Sequence, residues 1–567
     1  MPPTAVCDQA GDQHEEEVPG CCGCVRTGNV KLRNVTNLEP TLQLLGVPFD
    51  LSMAKAVMQG QPGAAKRLLY QLYVLLQKKK RSGLMGTALE TMQPTATARP
   101  HRIENHIYTQ GAAVCHFSQQ WGGPPIYLSI LILLLNCYLS TASSLPFTAA
   151  PLFTDRPFAV IWNAPTHVCK SLNISMDFSV FQAVTTTAGE PDQFLFLFYT
   201  NKLGLYPYID PSTKKEYNGG IPQKGNITAH LEKAWRDITQ YLPEFNPGLS
   251  VIDWEAWRPL WARNWGSKDI YRKQSIQYAR GKDPSLSAAN AVTVAKEEFE
   301  KVARSYMMET MNLGIRQRPK YLWGYYLFPN CYNYGWNETG YTGECPAVEI
   351  ARNNELLWLW ESSTAFFPSA YLPLSLKESH KGALFIRGVV KEAVRVSALP
   401  NLIYTSPIYV YLRPLFRDQN KEYLSEADLV RTIGESAALG ASGAVLWGAT
   451  ADYNNKPSCE ALAAYLPSTL NPYVVNVTAA AKLCSDTLCQ SNGRCVRKNP
   501  NSDDYLHLHP DHFRIQAGNG KRLAIGVPSL SDLKFFADKF TCQCYVGKDC
   551  SASLSFSPPQ TPVVIQV

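Results

Sequence analysis

The chain contains neither of the common glycine-rich nucleotide-binding motifs. No Gly-x-Gly-x-x-Gly follows the first strand-like run, and no Walker loop occurs anywhere. Both motifs bring backbone amides against phosphate groups, so their absence argues against a nucleotide-binding sheet. The formal net charge is only +7 over 567 residues, and no basic stripe accompanies a recognisable nucleic-acid motif. We therefore expect no nucleic-acid partner.

Signals for a serine nucleophile and for a lipid-anchored C-terminus are missing as well. Neither Ser436 nor Ser442 lies in a Gly-x-Ser-x-Gly motif, which disfavours a serine hydrolase. The Ser/Pro-rich C-terminus has no long apolar tail, which argues against a GPI anchor. We predict that residues 553–567 form a flexible tail. Three loop histidines, His507, His509 and His512, do not indicate a metal site, and we expect no metal.

The most apolar run, residues 126–139, reads IYLSILILLLNCYL and is followed by small residues. It resembles a secretory signal peptide and is short for a membrane span of about 20 residues. Its distance from residue 1 leaves three alternatives: a true start further along, for example ahead of Met92, a signal-anchor, or an unusual leader. We predict a signal peptide or signal-anchor over 125–144 and an N-terminal extension outside the mature fold over 1–124. A membrane is a partner only if the run stays uncleaved.

Cysteines and glycosylation sequons both indicate export. Ten of the 16 cysteines follow the apolar run, and this even number permits full pairing in an oxidising compartment. We expect a secreted or extracellular-surface protein, with lysosomal or acrosomal targeting left open. The four sequons that follow the run are at Asn173, Asn226, Asn337 and Asn476.

From Phe158 onward, short apolar runs alternate with helix-like segments. This alternation predicts a parallel α/β fold, and without a nucleotide-binding motif it favours a barrel, here over residues 145–480. In such barrels the functional residues lie at the carboxyl ends of the strands. The predicted strands are 158–162, 194–199, 249–254, 321–325, 365–367, 408–412 and 444–447, and the clearest helices are 228–242, 287–312 and 425–439.

The sequence pattern changes after Cys459, where cysteines become frequent. The spacing Cys484-x4-Cys489-x5-Cys495, followed by Cys542-x-Cys544-x5-Cys550, is typical of a small disulfide module. The spacing is EGF-like, apart from an insertion over 503–539. We therefore predict an EGF-like module with an insertion over residues 481–552.

Two carboxylates, Asp253 and Glu255, end one strand-like run. The two-residue period of a strand puts both on one face, where their mutual repulsion should raise at least one pKa. A proton held near neutral pH is what a general acid needs to cleave a glycosidic bond. Ordinary surface charge is the competing interpretation. The crowding of Trp257, Arg258 and further tryptophans into this stretch favours a site, and we expect Trp254 to point into the core.

The run Val251-Ile252-Asp253-Trp254-Glu255-Ala256-Trp257-Arg258-Pro259 closely resembles the catalytic signature of the animal hyaluronidases. Further matches are WGYYLFPNCYN from Trp323, GESAALG from Gly434 and LWG from Leu446. The resemblance extends from Phe158 to Cys550. The vertebrate sperm-surface type looks closest, notably in Tyr505-Leu506-His507-Leu508.

This resemblance implies a distorted, TIM-like (β/α) barrel with a C-terminal EGF-like module and no metal or organic cofactor. It implies that Glu255 is the general acid/base and that the substrate's own N-acetyl carbonyl is the nucleophile, with retention of configuration. Asp253 and Tyr326 would orient the acetamido group. The other implied substrate-binding residues are Trp447, as an aromatic wall, Tyr199 and Arg258, and more weakly Tyr332 and Tyr334.

The family pattern also implies the cysteine pairing. Closure of the long loop between the first pair should stabilise the fold by several kcal/mol. The implied pairs are Cys169–Cys459, Cys331–Cys345, Cys484–Cys495, Cys489–Cys542 and Cys544–Cys550.

Two positions depart from the family pattern. Phe367 stands where a cleft tyrosine is usual, which removes a hydroxyl, and Asn330 replaces an acid common in vertebrate members. We therefore predict reduced activity or an altered substrate preference. For Tyr326 and Trp447 the competing interpretation is barrel core, and for Arg258 it is a local ion pair.

Three functions follow from this resemblance. The first is an endo-β-N-acetylhexosaminidase that hydrolyses hyaluronan, and also chondroitin in one variant of this hypothesis. The second is an enzyme with chondroitin as its main substrate. The third is a catalytically weak hyaluronan-binding or cell-adhesion protein, which Phe367 leaves open.

Overall fold

A computed structural model describes residues 145–400, 402–518, 521–552, 559 and 561–566. The predicted N-terminal extension and the signal peptide or signal-anchor lie outside these residues, apart from the extreme end of the latter. None of the helices in the described ranges is long and apolar enough to cross a membrane.

Strands and helices alternate along the first part of the described chain, as the sequence pattern predicts. The strands are β1 Ala159–Asn163, β2 Ala183–Thr185, β3 Leu195–Tyr199, β4 Tyr208–Ile209, β5 Glu216–Tyr217, β6 Gly248–Asp253, β7 Tyr321–Tyr325, β8 Tyr409–Leu412, β9 Gly443–Trp447, β10 Gly493–Arg497, β11 Phe513–Gly518, β12 Lys521–Gly526, β13 Phe540–Cys544 and β14 Val563–Gln566. The helices are α1 His167–Ser171, α2 Ile227–Tyr241, α3 Asp269–Lys282, α4 Ala288–Gln317, α5 Ala347–Glu355, α6 Leu357–Ser362, α7 His380–Ser397, α8 Glu426–Leu429, α9 Glu435–Ala438, α10 Lys456–Tyr465, α11 Asn471–Leu488 and α12 Leu530–Lys539.

Helix starts follow the local sequence. The Ser287 side chain accepts a hydrogen bond from the Asn290 amide at the start of α4, and Ser425 forms the predicted capping box with Asp428 before α8. The predicted helix over 425–439 is interrupted, since a π-helical turn, Val430–Gly434, joins α8 to α9.

The parallel strands form an α/β barrel. One sheet has the order β2-β1-β9-β8 and the other β3-β6-β7, and every ladder in both is parallel. Residues 365–369 join the sheets through single bridges, from Phe367 to Tyr326 and from Phe366 to Ile408. On the opposite side, the Thr185 hydroxyl donates to the Leu195 carbonyl at 3.3 Å between β2 and β3.

The bridging segment differs from the predicted strand over 365–367. It pairs with both neighbours, but only through isolated bridges rather than a ladder. Pro368 lies within this segment, and Pro407 lies in the neighbouring segment beside it. Neither proline has an amide hydrogen to donate, so a continuous ladder cannot form there.

Alternate residues of the strands point into the barrel and fill it. Leu249 and Val251 of β6, Leu195 and Leu197 of β3 and Val445 of β9 belong to one buried cluster in this interior. The next inward position on each of these strands is its last residue: Asp253, Tyr199 and Trp447. The barrel is therefore apolar inside and becomes polar and aromatic at its carboxyl rim.

All five disulfides predicted from the resemblance are confirmed. Cys169–Cys459 joins α1 to α10 across 290 residues. The other pairing that spans a long segment is Cys489–Cys542, which encloses the predicted insertion.

The disulfide-rich C-terminal region is continuous with the barrel. The predicted boundary at residue 480 falls inside α11, a largely buried helix that contacts β1 of the barrel as well as β10, β12 and β13. β10 and β13 form an antiparallel pair, while the insertion contributes β11, β12 and α12. Val563–Gln566 pairs with β12 as an edge strand, so the predicted flexible tail is wrong for these residues.

The predicted glycosylation sites differ in exposure. Asn173, Asn226 and Asn337 are exposed. Asn476 is half-buried on α11, and its side-chain oxygen accepts a hydrogen bond from the Leu508 amide at 2.9 Å. Because Asn476 is half-buried and the other three are exposed, the structure favours the first three for glycosylation.

A buried ion cluster connects the barrel to the C-terminal region. Glu435 of α9 is 0% exposed and accepts a 2.7 Å hydrogen bond from Arg387 of α7. Arg497 of β10 binds the same carboxylate through both terminal nitrogens. Arg387 also donates to Asp503 at 2.7 Å. The Glu435 carboxylate thus joins three elements, α7, α9 and β10.

We predict that Glu435→Gln lowers the free energy of unfolding by about 3–5 kcal/mol, because it leaves two buried guanidinium groups short of a counter-charge. Urea titration of the purified protein measures this change. Glu460→Gln is the matched control: its ion pair with Lys456 is exposed, and its loss should cost less than about 1 kcal/mol. Equal effects of the two substitutions would contradict the role of the cluster.

Candidate active site

The carboxyl rim of the barrel holds two neighbouring cavities. The first has a volume of about 480 Å³, and Asp253, Glu255 and Lys268 are among its lining residues.

 The second cavity, of about 250 Å³, is lined by Asn163 and Trp447 among others. Tyr199 lines both cavities, so they adjoin each other along the ends of β1, β3, β6 and β9, and we refer to the two together as the cleft.

The two carboxylates occupy different environments within this cleft. Asp253 ends β6 and is half-buried, and its Oδ1 atom is buried with no hydrogen-bond partner among the described residues. Burial, and then the charge of Glu255, raise the pKa of Asp253 to about 7, against the opposing effect of Arg258. The predicted rise in the pKa of one member of the pair is confirmed, and it falls on Asp253.

Glu255 lies two residues beyond the end of β6, and its side chain is 48% exposed. The Arg258 guanidinium donates to its carboxylate at 3.2 Å and to its backbone carbonyl at 2.8 Å. Asn264, fully buried, bonds both the amide and the carbonyl of Arg258 at 2.9 Å. Arg258 is itself only 6% exposed and is not part of the lining of either cavity, so the competing interpretation of a local ion pair describes its position.

Tryptophan and tyrosine side chains form the wall beside Asp253. Trp447 stacks on Tyr371 with ring centroids 5.7 Å apart, and the Arg413 guanidinium lies 5.7 Å from the Trp447 ring. The Tyr326 hydroxyl donates to Ser369 at 3.2 Å, and burial raises the Tyr326 pKa. Both Tyr326 and Trp447 thus belong to the rim, whereas Trp254 is buried in the core, as predicted.

Tyr332 and Tyr334 lie apart from the two cavities. Arg263 packs over the Tyr332 ring at 4.1 Å, and Tyr334, 49% exposed, lies in edge contact with it. Arg258 is among the cations that lower the pKa of Tyr334, against the larger effect of burial. Both tyrosines thus lie near Arg258 but outside the cavity lining, which fits their weaker assignment as substrate-binding residues. The Asn330 carbonyl accepts a hydrogen bond from Asn353 at 2.7 Å.

The prediction that Phe367 belongs to the cleft is wrong. Phe367 is 0% exposed and packs inside the barrel beside Tyr409 and Tyr411, with ring centroids 6.2 Å from each. A hydroxyl at this position would remain within the barrel. The hydroxyl at this part of the rim belongs to Tyr371, which the sequence analysis missed.

The missed residue had a signal in the sequence. Inward positions recur every two residues in an extended segment, so the series from Phe367 continues to Ser369 and then to Tyr371 at the rim. Ser369 bonds Tyr326, and Tyr371 faces both Tyr326 and Trp447. Among the described residues, no group of three or more His, Cys, Asp or Glu side chains is arranged to hold a metal ion.

Comparison with known proteins assigns the class. The model of the hyaluronidase family matches residues 147–554, and the chain therefore belongs to this family of glycoside hydrolases. Hyaluronidase-5 of Mus musculus is 48% identical over 427 residues, which are 74% of this chain and 80% of that protein. Hyaluronidase PH-20 of Homo sapiens is 46% identical over 422 residues, which are 74% of this chain and 82% of that protein.

A solved structure and a second family model add to this comparison. Bee venom hyaluronidase in complex with a hyaluronic acid tetramer is 32% identical, with a TM-score of 0.50, and the match covers 56% of this chain and 98% of that one. A model described as a CH-like domain in sperm protein matches residues 25–74, outside the described residues. This second match falls in the extension to which the sequence pattern assigned no function.

We predict that Phe367→Tyr leaves glycosidase turnover within about twofold, since the added hydroxyl does not reach the cleft. The same substitution should lower the free energy of unfolding by about 1–3 kcal/mol if the buried hydroxyl finds no partner. Tyr371→Phe should instead reduce turnover by roughly 10- to 1,000-fold, because it removes a hydroxyl from the ring that faces Tyr326 and Trp447 at the rim. Steady-state kinetics of the two variants separate these positions, and a large gain in turnover from Phe367→Tyr would contradict the assignment.

The raised pKa of Asp253 predicts a pH-dependent cost to stability. Folding favours the protonated carboxyl, so the stability present at low pH is lost as the pH rises through about 7. Asp253→Asn removes this titration and should become more stable than the wild type by up to about 4 kcal/mol between pH 4 and pH 8. Urea titrations at both pH values measure the difference. Glu255→Gln should weaken the pH dependence of the free energy of unfolding, because the charge of Glu255 contributes to the raised pKa of Asp253. A difference between Asp253→Asn and the wild type that does not change with pH would contradict the prediction.

Proposed function

We propose that this protein is an endo-β-N-acetylhexosaminidase that hydrolyses hyaluronan with retention of configuration. The observation that carries the proposal is the unequal carboxylate pair: an exposed Glu255 held by Arg258, beside a half-buried Asp253 with an unpartnered oxygen. The family membership and the likeness to a hyaluronidase that was solved with a hyaluronic acid tetramer support it.

In the proposed reaction, Glu255 is the general acid and donates a proton to the glycosidic oxygen as the bond to the anomeric carbon breaks. The carbonyl oxygen of the substrate's own acetamido group attacks that carbon and forms an oxazolinium ion. Glu255, now a carboxylate, then takes a proton from the water that opens the ring. Two inversions at the same carbon give net retention.

Asp253 suits the role of partner for the acetamido group in this reaction. Its unpartnered oxygen can accept the acetamido N–H, and its negative charge then stabilises the positive charge that develops on the oxazolinium ion. A hydrogen bond from the amide favours the ionised form of Asp253 and thus lowers its pKa. Substrate binding therefore releases the proton that the free pair holds below about pH 7, and Glu255 is its acceptor in our proposal.

The aromatic wall positions the sugar for this attack. Trp447 and Tyr371 offer a stacked pair of rings, and the hydroxyls of Tyr326 and Ser369 form a bonded pair beside them. Holding the acetamido oxygen near the anomeric carbon makes the attack effectively intramolecular. Tyr199 lines both cavities, which supports its assignment as a contact for sugars on both sides of the scissile bond.

Several finer assignments belong to the same proposal. We infer that the region with the last three disulfides is EGF-like, which the cysteine spacing and pairing support. We also infer a secreted or cell-surface location, which the disulfides and exposed sequons support. The weak-binding alternative loses its main support, because Phe367 does not belong to the cleft.

The proposal is tested by the length of the polysaccharide after incubation. Wild type should shorten hyaluronan, and Glu255→Gln should reduce the rate by at least about 100-fold while still binding the polymer. Chondroitin tested in parallel measures the preference between the two polymers. Lys456→Gln changes an exposed residue distant in the sequence from Glu255 and is the control for the preparation and assay of a variant. No shortening of either polymer by correctly folded wild type would refute the enzyme assignment.

A further inference from the structure

Two lysines line the cavity beside Glu255 and have no part in the proposed reaction. Lys268 lies in the 3-10 turn Gly266–Lys268, and Lys214 lies in the turn between β4 and β5. Both are among the lining residues of the same cavity as Asp253 and Glu255. They are the cationic side chains of that lining.

Neither lysine forms an ion pair with a carboxylate within the described part of the chain. The Lys268 ammonium donates to the backbone carbonyl of Glu255 at 2.5 Å and to that of Ala256 at 3.4 Å. The Lys214 ammonium donates to the Pro211 carbonyl at 2.5 Å. The neighbouring arginines differ, since Arg258 pairs with Glu255 and Arg413 pairs with Asp452.

Lys268 is half-buried, and holding an ammonium there without a counter-ion is costly. Burial, followed by repulsion from Arg258, lowers the pKa of Lys268 to about 8, although Glu255 opposes the shift. Below this pH the cation is present and available. Lysine has three donors, and Lys268 uses at most two of them on carbonyl groups, which leaves one for a bound anion.

We propose that Lys268, assisted by Lys214, binds the carboxylate of a hexuronate residue next to the scissile bond. The inference rests on the proposed function and assigns to it the residues that recognise the uronate. A polyanion that approaches Asp253 and Glu255 meets the negative charge of that pair, and a cation on the same wall offsets the repulsion. The cavity would thereby select uronate-containing polymers over neutral polymers of N-acetylhexosamine.

The test compares two substrates that differ only in the carboxylate: hyaluronan, and hyaluronan whose glucuronate has been reduced to glucose. Lys268→Gln should raise KM for hyaluronan by roughly 10- to 100-fold, the range expected for loss of a charge-assisted hydrogen bond, with kcat within about threefold. On the reduced polymer the variant and the wild type should agree within about threefold. Lys214→Gln should show the same pattern with a smaller effect.

Two further variants keep the result interpretable. Lys268→Arg retains the cation and should retain most of the affinity for hyaluronan, which separates loss of charge from loss of folding. Lys273→Gln is the matched control, because Lys273 is exposed on α3, pairs with Asp269 and lies outside the cavity lining. It should leave KM unchanged for both polymers.

An equal loss on both polymers would mean that Lys268 only supports the backbone at Glu255, and it would overturn the proposal. Binding of both polymers is also measured in the Glu255→Gln background, where turnover does not intervene. If wild type cleaves neither polymer but Lys268→Gln still weakens binding of hyaluronan alone, the hydrolytic function fails and the uronate site stands. If Lys268→Gln binds hyaluronan as tightly as its parent, the uronate site fails whatever the outcome of the cleavage assay.

Discussion

The register of the parallel strands is the constraint on which the site depends. Tyr199 pairs with Asp253 across β3 and β6, and Asn163 pairs with Trp447 across β1 and β9. Because every strand runs in the same direction, their final inward residues meet at one rim. A slip of one residue in any strand would turn its final side chain out of the barrel, so the apolar interior below the rim also fixes the chemistry above it.

Burial, rather than sequence spacing alone, separates the two carboxylates. Asp253 is the last residue of a strand and remains half-buried over the apolar interior, while Glu255 has left the strand and is 48% exposed. The first position keeps a proton up to about pH 7, and the second is held by Arg258 at the mouth of the cleft. In the proposed reaction, this difference gives Glu255 the role of proton donor to the leaving group and Asp253 the role of partner for the oxazolinium charge.

The C-terminal region is an integral part of the barrel in this protein. α11 contacts strands of both, and the Glu435 cluster joins α7, α9 and β10 through one buried carboxylate. These contacts lie on the outside of the barrel, away from the rim. The buried ion cluster and the proposed catalytic pair are thus different groups of charges: Glu435 is paired with two arginines, whereas Asp253 at the rim has an unpartnered oxygen.

The sequence by itself determined the strand–helix alternation, the family signature around Asp253 and Glu255, and through that resemblance the five disulfides, because these depend on local pattern and on residue identity. Only the tertiary structure decided which carboxylate carries the raised pKa, that Phe367 lies inside the barrel while Tyr371 reaches the rim, and that Arg258 supports Glu255. Each of these depends on how deep a side chain lies and which others surround it. A local two-residue period can place Phe367 and Tyr371 on the inward face, but depth and neighbours are set by strands distant in the chain, so the local pattern does not give them.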